Sequence, residues 1–157
     1  MTGASEMVSE WMPWPPSPPR GYVTSLPPLK VRREADLPDG RPVARLRMEA
    51  GDGQANFSGA LHGGAALCFI DVALFAAAHQ FGLEHAIRAV TLDLATQFVG
   101  AGRVGEPLDA VVDLVRETGR LMFVRGLLVQ GEGDSHIVAS FAATIRKASN
   151  APRVMLA

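Results

Sequence analysis

Asn56 to Gln80 reads NFSGALHGGAALCFIDVALFAAAHQ. It opens small and polar, passes through His62-Gly63-Gly64, and becomes an apolar run interrupted by one ionisable residue, Asp71. Ala65 to Ala78 contains no proline or glycine and is rich in Ala, Leu, Phe and Ile, so it is read as a helix. Leu67, Ile70, Leu74 and Ala78 mark one face, and Ala66, Phe69 and Ala73 broaden it. A helix apolar almost all round is expected to be buried, and its alanines admit the close approach of a sheet. The two glycines put its first turn at or just after His62.

The flanking sequence reads as strands. Val43 to Ala50 alternates, with Val43, Arg45, Arg47 and Glu49 on one side and Ala44, Leu46, Met48 and Ala50 on the other. That is a half-buried strand. Leu29 to Ala35 is a short strand or an irregular lead-in. Beyond the helix come Arg88–Phe98, Pro107–Glu117, Arg120–Gln130 and Ser135–Arg146, separated by Gly-rich turns. In the first of these, Val90, Leu92, Leu94 and Thr96 stand against Thr91, Asp93 and Ala95. The last three read as an antiparallel meander. The order of strand, buried helix and four long strands favours an α+β fold in which a curved antiparallel sheet wraps one central helix. The free face or edge of such a sheet invites a partner subunit.

Residues 1–28 are read as a proline-rich arm, 29–150 as a single domain and 151–157 as a tail. Prolines 13, 15, 16, 18, 19, 27 and 28 forbid a regular helix and most sheet pairing. Trp11, Met12, Trp14 and Tyr22 among them suit an arm lying on the body, one covering a pocket or subunit boundary, or a proline-motif ligand.

With 157 residues, 48% of them apolar, and a net charge of -1, the chain suits one domain with a substantial core. It carries no basic block or zinc-finger spacing, so nucleic acid is not an expected partner. The single Cys68 excludes an intrachain disulfide and fits a reducing cytosol. The N-terminus has no signal-peptide pattern, and Asp71 near the middle of a short apolar run argues against a membrane span. A soluble, cytoplasmic protein is the expectation.

Asp71 reads as a general base or nucleophile, because carboxylates in apolar surroundings are costly unless used. A local cap or pair, or a polar seam between subunits, would also explain it. His62-Gly63-Gly64 reads either as an oxyanion site of backbone N–H groups at a helix start or as a glycine turn with a capping histidine. Asn56 supplies an amide for His62 or for a ligand carbonyl. Asp71 lies eight residues beyond Gly63, about 12 Å along one helix, so one bond between them requires two copies of the chain.

Asn56-x5-His62-Gly63-Gly64-x6-Asp71, followed by Val90-Thr91-Leu92-Asp93-Leu94 and Gly105, resembles the hotdog-fold acyl-CoA thioesterase superfamily, nearest its phenylacetate-pathway branch. The resemblance covers roughly residues 40–147. It implies homodimers, often paired into tetramers, that hydrolyse acyl-CoA or aryl-acyl-CoA thioesters without a cofactor. By the same resemblance, the Gly63 N–H polarises the thioester carbonyl and Asp71 activates water or attacks. Asn56 and His62 position the carbonyl and its loop, and Thr91 holds the water beside the acid. After Asp93 the chain departs from the family pattern, gaining glycines where a proline is usual.

Gly64, Arg120, Arg146 and Lys147 are further candidates for substrate binding, the cations meeting phosphates or serving as solvated strand ends; Arg125 reads the same way. His79 and His85 lack a metal partner at useful spacing, so no metal is expected. Cys68 reads as a structural thiol. A hydratase of the same architecture would pair a histidine with the acid, and His62 has no such second role. A non-catalytic binding or assembly protein is the remaining alternative.

Overall fold

A computed structural model describes residues 8–149. The proposed 151–157 tail and the first seven residues of the arm lie outside them. The elements are β1 (Met12–Trp14), β2 (Leu29–Glu34), β3 (Val43–Glu49), α1 (Gly63–Gln80), β4 (Val90–Phe98), β5 (Pro107–Glu117), β6 (Leu121–Gln130) and β7 (His136–Arg146). All seven strands form one sheet in the order β1-β2-β3-β5-β6-β7-β4, and every neighbouring pair is antiparallel. The chain thus adopts the hotdog architecture, one long helix packed on a multi-stranded antiparallel sheet. β5, β6 and β7 form the expected meander, and β4 closes the sheet beside β7.

Alternation positions the sheet against the helix. In β3 and just beyond it, Ala44, Leu46, Met48 and Ala50 are buried, while Arg45 and Arg47 lie on the opposite face. From β5, Leu108, Ala110 and Val112 turn inward, all buried. Phe69, Ile70 and Leu74 of α1 are wholly buried against this surface, each worth about 1.5–3 kcal/mol of burial.

Three expectations change. The helix is not buried all round: Leu67 is 37% exposed and Cys68, Asp71, Val72 and Phe75 are only half-buried. The sheet covers one side of α1 and leaves this stripe outside it. Strict alternation also fails in β4. A register shift lies between Thr91 and Asp93, so Leu92 stands out at 54% exposure while Thr91, Leu94 and Thr96 are partly buried. Such a bulge re-aims the side chains on either side of it. Finally, the prolines of the arm do not prevent pairing, since Met12–Trp14 joins the edge of the sheet against β2. Pro13 is tolerated because that edge needs no further donor, and Trp14 is buried at 7% exposure.

The sheet face away from α1 holds an ionic lattice. Asp109, 5% exposed, accepts from Arg45 at 2.8 Å and from Arg47 at 2.7 and 2.8 Å. Arg45 also reaches Glu34 and Asp134, which holds the Asp134 carboxyl below its usual range. Arg32 and Arg47 stack on the Trp11 ring at 4.5 and 4.7 Å. Asp109→Ala is expected to destabilise the fold by about 2 kcal/mol, because it leaves Arg47 without its carboxylate and removes one of the three carboxylates that Arg45 holds. A chemical-denaturation midpoint indistinguishable from the parent would refute that.

Candidate active site

The loop from Asn56 to Leu61 is built by its own side chain. Asn56 Oδ1 accepts the Ser58 and Ala60 N–H groups at 2.9 and 3.1 Å, an Asx-type turn. Those two donors fix which end of the amide is oxygen. Of the two uses read for the Asn56 amide, the bond to His62 is not made: its oxygen serves the loop, and its NH2 has no acceptor among the described residues. The loop is then pinned from outside. Leu61 N–H donates to the Gly102 carbonyl at 2.9 Å, and Ala60 bridges Arg103. A Cβ on Gly102 would stand 2.8 Å from the Leu61 side chain, so the glycine-rich departure after Asp93 allows this loop to dock.

His62 is the helix N-cap, and its Nδ1 accepts the Gly64 N–H at 2.9 Å. Of the two readings of the motif, the capping histidine is therefore present. A Cβ on Gly64 would come within 3.0 Å of that ring nitrogen, which accounts for glycine there and leaves the Gly64 N–H engaged. The Gly63 N–H, by contrast, has no acceptor among the described residues. At the first helical position it points out of the positive end of α1. The Phe98 ring lies about one contact distance away, 3.5 Å from where a Gly63 Cβ would sit.

Further along α1, Thr91 donates its hydroxyl to Asp71 Oδ1 at 2.7 Å. The bulge after Thr91 aims that hydroxyl at the helix. Asp71 Oδ2 is left without a partner among the described residues, so one carboxylate oxygen is anchored and the other is free to accept a proton. Cys68, one turn earlier, has its thiol pushed up by burial and then by the Asp71 charge; it is a neutral thiol rather than a nucleophile. Gly63 and Asp71 belong to one helix, so their separation remains about 12 Å.

The chain matches the model of the Thioesterase superfamily over residues 58–136, just over half its length. It belongs to the thioesterase superfamily. The matched stretch takes in His62, Gly63, Gly64, Asp71 and Thr91, and Asn56 stands two residues before it. No curated protein matches the chain in sequence. Among solved structures, a hypothetical thioesterase from Streptococcus pneumoniae TIGR4 with coenzyme A is similar at 18% identity and a TM-score of 0.60, covering 68% of this chain and 82% of that one. A mutant of the phenylacetic acid degradation protein PaaI from Thermus thermophilus is similar at 21% identity and a TM-score of 0.61, covering 81% and 98%. The PaaI protein of the E. coli phenylacetic acid degradation operon is 19% identical with a TM-score of 0.57, covering 67% and 76%. At these identities the structures share the fold.

The basic candidates of this thioesterase-superfamily chain divide. Arg146 and Lys147 line one cavity of about 560 Å³ together with Arg88. Arg120 does not line it, and contributes its carbonyl to the Lys147 N–H at 2.9 Å. Lys147 is paired with Glu117 at 2.5 Å, whereas Arg88 and Arg146 have no carboxylate partner among the described residues. Arg88, read in the sequence only as the first residue of a strand, lies in the turn before β4. Among the described residues, no three His, Cys, Asp or Glu side chains gather as metal ligands.

Proposed function

We propose that the chain is an acyl-CoA thioesterase, acting as a homodimer on thioesters of coenzyme A in the cytoplasm. The observation that carries this reading is the Thr91–Asp71 hydrogen bond of 2.7 Å in a member of this superfamily. It leaves one carboxylate oxygen anchored and the other free.

The thioester carbonyl accepts the Gly63 N–H, assisted by the Asn56 NH2, and its oxygen gathers charge there as the carbonyl carbon becomes tetrahedral. The partner's Asp71 takes a proton from water through its free oxygen while the water oxygen bonds to that carbon. Collapse breaks the C–S bond and releases the carboxylic acid. The coenzyme A thiolate leaves and takes up the proton. Direct attack by the carboxylate, giving an anhydride that water then opens, satisfies the same geometry.

Two copies are needed because about 12 Å along one helix separates donor and acid. The free edge of β4 supports such pairing: Leu92 and Phe98 on it and Val99 just past it are 54, 51 and 61% exposed, an uncovered apolar edge of the kind that joins subunits. The Arg88–Arg146–Lys147 cavity suits the phosphates of coenzyme A. The hydratase alternative is disfavoured because His62 Nδ1 is committed to the helix cap and pairs with no carboxylate among the described residues.

Thiol release from a panel of acetyl, medium-chain, long-chain and phenylacetyl thioesters tests the proposal. Turnover with free thiol on at least one member is expected. Loss of enoyl absorbance without thiol would indicate a hydratase instead, and inertness on every member would refute catalysis of this kind.

A further inference from the structure

The arm carries no function in the reading above, yet it forms one wall of a cavity of about 620 Å³. Trp14, Pro18, Pro19 and Val23 line that wall together with Ser17 and Arg20, and Val72, Phe75, Ile87 and Ala89 face them from α1 and from the turn before β4. Proline suits such a wall because it has no N–H to leave unsatisfied against an apolar space. Both ends of the stretch that forms the wall are tied down. Trp14 is paired in the sheet opposite Leu29 and meets the His79 ring in a tilted contact, centroids 5.3 Å apart, while Val23 and Leu26 pack on the core.

We infer that this arm-roofed cavity is the acyl chamber of the enzyme, and that it selects thioesters with a medium-length or aryl-containing apolar acyl group over acetyl. The inference rests on the thioesterase reading and adds the substrate class to it. Three placements carry it. Val72 directly follows Asp71 and Phe75 lies one helical turn beyond it, so the chamber starts on the turn of α1 that carries the carboxylate. Ala89 lies two residues before Thr91, which puts the other half of the Asp71–Thr91 pair at the same end. The chamber also shares Ile87 and Ala89 with the Arg88–Arg146–Lys147 cavity. An apolar space and a cationic space therefore adjoin, the first of them one residue along α1 from the reacting carboxylate. That matches a ligand with a greasy acyl group at one end and phosphates at the other.

The volume sets the scale. At about 30 Å³ for one water's share of the liquid, the chamber holds roughly twenty water volumes, which an acetyl group leaves almost empty. Each methylene that enters is expected to raise kcat/KM by about fourfold until the space is filled.

The test measures thiol release by the full chain from straight-chain acyl-CoAs between acetyl and palmitoyl, and from phenylacetyl-CoA. kcat/KM is expected to climb steadily from acetyl through decanoyl. Ile87→Trp places an indole into the chamber from a residue 63% exposed, and is expected to lower the decanoyl-to-acetyl ratio of kcat/KM at least about tenfold. A flat chain-length profile, or an unchanged ratio in Ile87→Trp, would overturn the chamber while leaving the thioesterase reading standing. If no acyl-CoA is turned over at all, the thioesterase reading fails and the chamber is judged by binding. Trp14 is the sole tryptophan once Trp11→Phe is made. A fatty acid brominated at its far end is expected to quench it saturably, and absence of quenching would overturn the chamber.

Discussion

Asp71→Asn is expected to lower kcat for thiol release by about a thousandfold with KM nearly unchanged. The amide has the shape of the carboxylate, and its oxygen still accepts the Thr91 hydroxyl that donates at 2.7 Å. The local packing of α1 on β4 is therefore retained. What disappears is the free anionic oxygen, and with it both routes to the new C–O bond: proton abstraction from water and direct attack. In the proposed mechanism the acid acts on the reacting bond rather than on the acyl group or nucleotide, so the loss belongs in kcat. Steady-state kinetics with a thiol reagent, beside a thermal melt, checks this. A folded Asp71→Asn protein within tenfold of the parent would remove Asp71 from the reaction.

Gly63→Pro is expected to cost about a hundredfold in kcat/KM, the scale of losing one oxyanion donor. Proline is well accepted at the first helical position. His62 already has φ -69° and ψ 133°, the extended conformation a following proline requires. The Gly63 N–H has no acceptor within the described residues, so the fold loses no hydrogen bond. Gly63→Ala is the control. Its Cβ meets the Phe98 ring at 3.5 Å, an ordinary contact, and it keeps the donor. Proline inactive and alanine active isolates the N–H; equal loss in both would assign the glycine to steric access instead.

Much of this arrangement was legible because period-two alternation and glycine punctuation delimit the strands. Pro107–Glu117 is recovered without change and Leu121–Gln130 to within one residue. The helix starts at Gly63, capped by His62, as its two glycines suggest. Other features depend on tertiary context. Leu92 belongs to an alternating series whose parity a bulge reverses, and a single extra residue in a strand leaves no mark in composition. Leu67 fits an apolar helical face, but whether that face is covered depends on what packs there. Pro13 argues against a strand until its position at the sheet edge is known. The pairing of Thr91 with Asp71 came from the family resemblance, since twenty residues and a turn separate them in the chain. Asn56 and His62 are engaged by their own loop and helix start, and local geometry of this kind cannot be told from substrate contact by residue type alone.

A site completed by two copies, with the donor on one and the acid on the other, is tested most directly by complementation. Asp71→Asn is mixed with Gly63→Pro under conditions that exchange subunits, and thiol release is measured. Each variant alone is expected to be nearly inactive. In a mixed dimer, one site combines an intact Gly63 N–H with an intact carboxylate from the other chain. Random pairing makes half the dimers mixed with one good site in each, so activity is expected to return to about a quarter of the parent value. Exchange confirmed by mass tags with no recovery of activity would contradict the shared site.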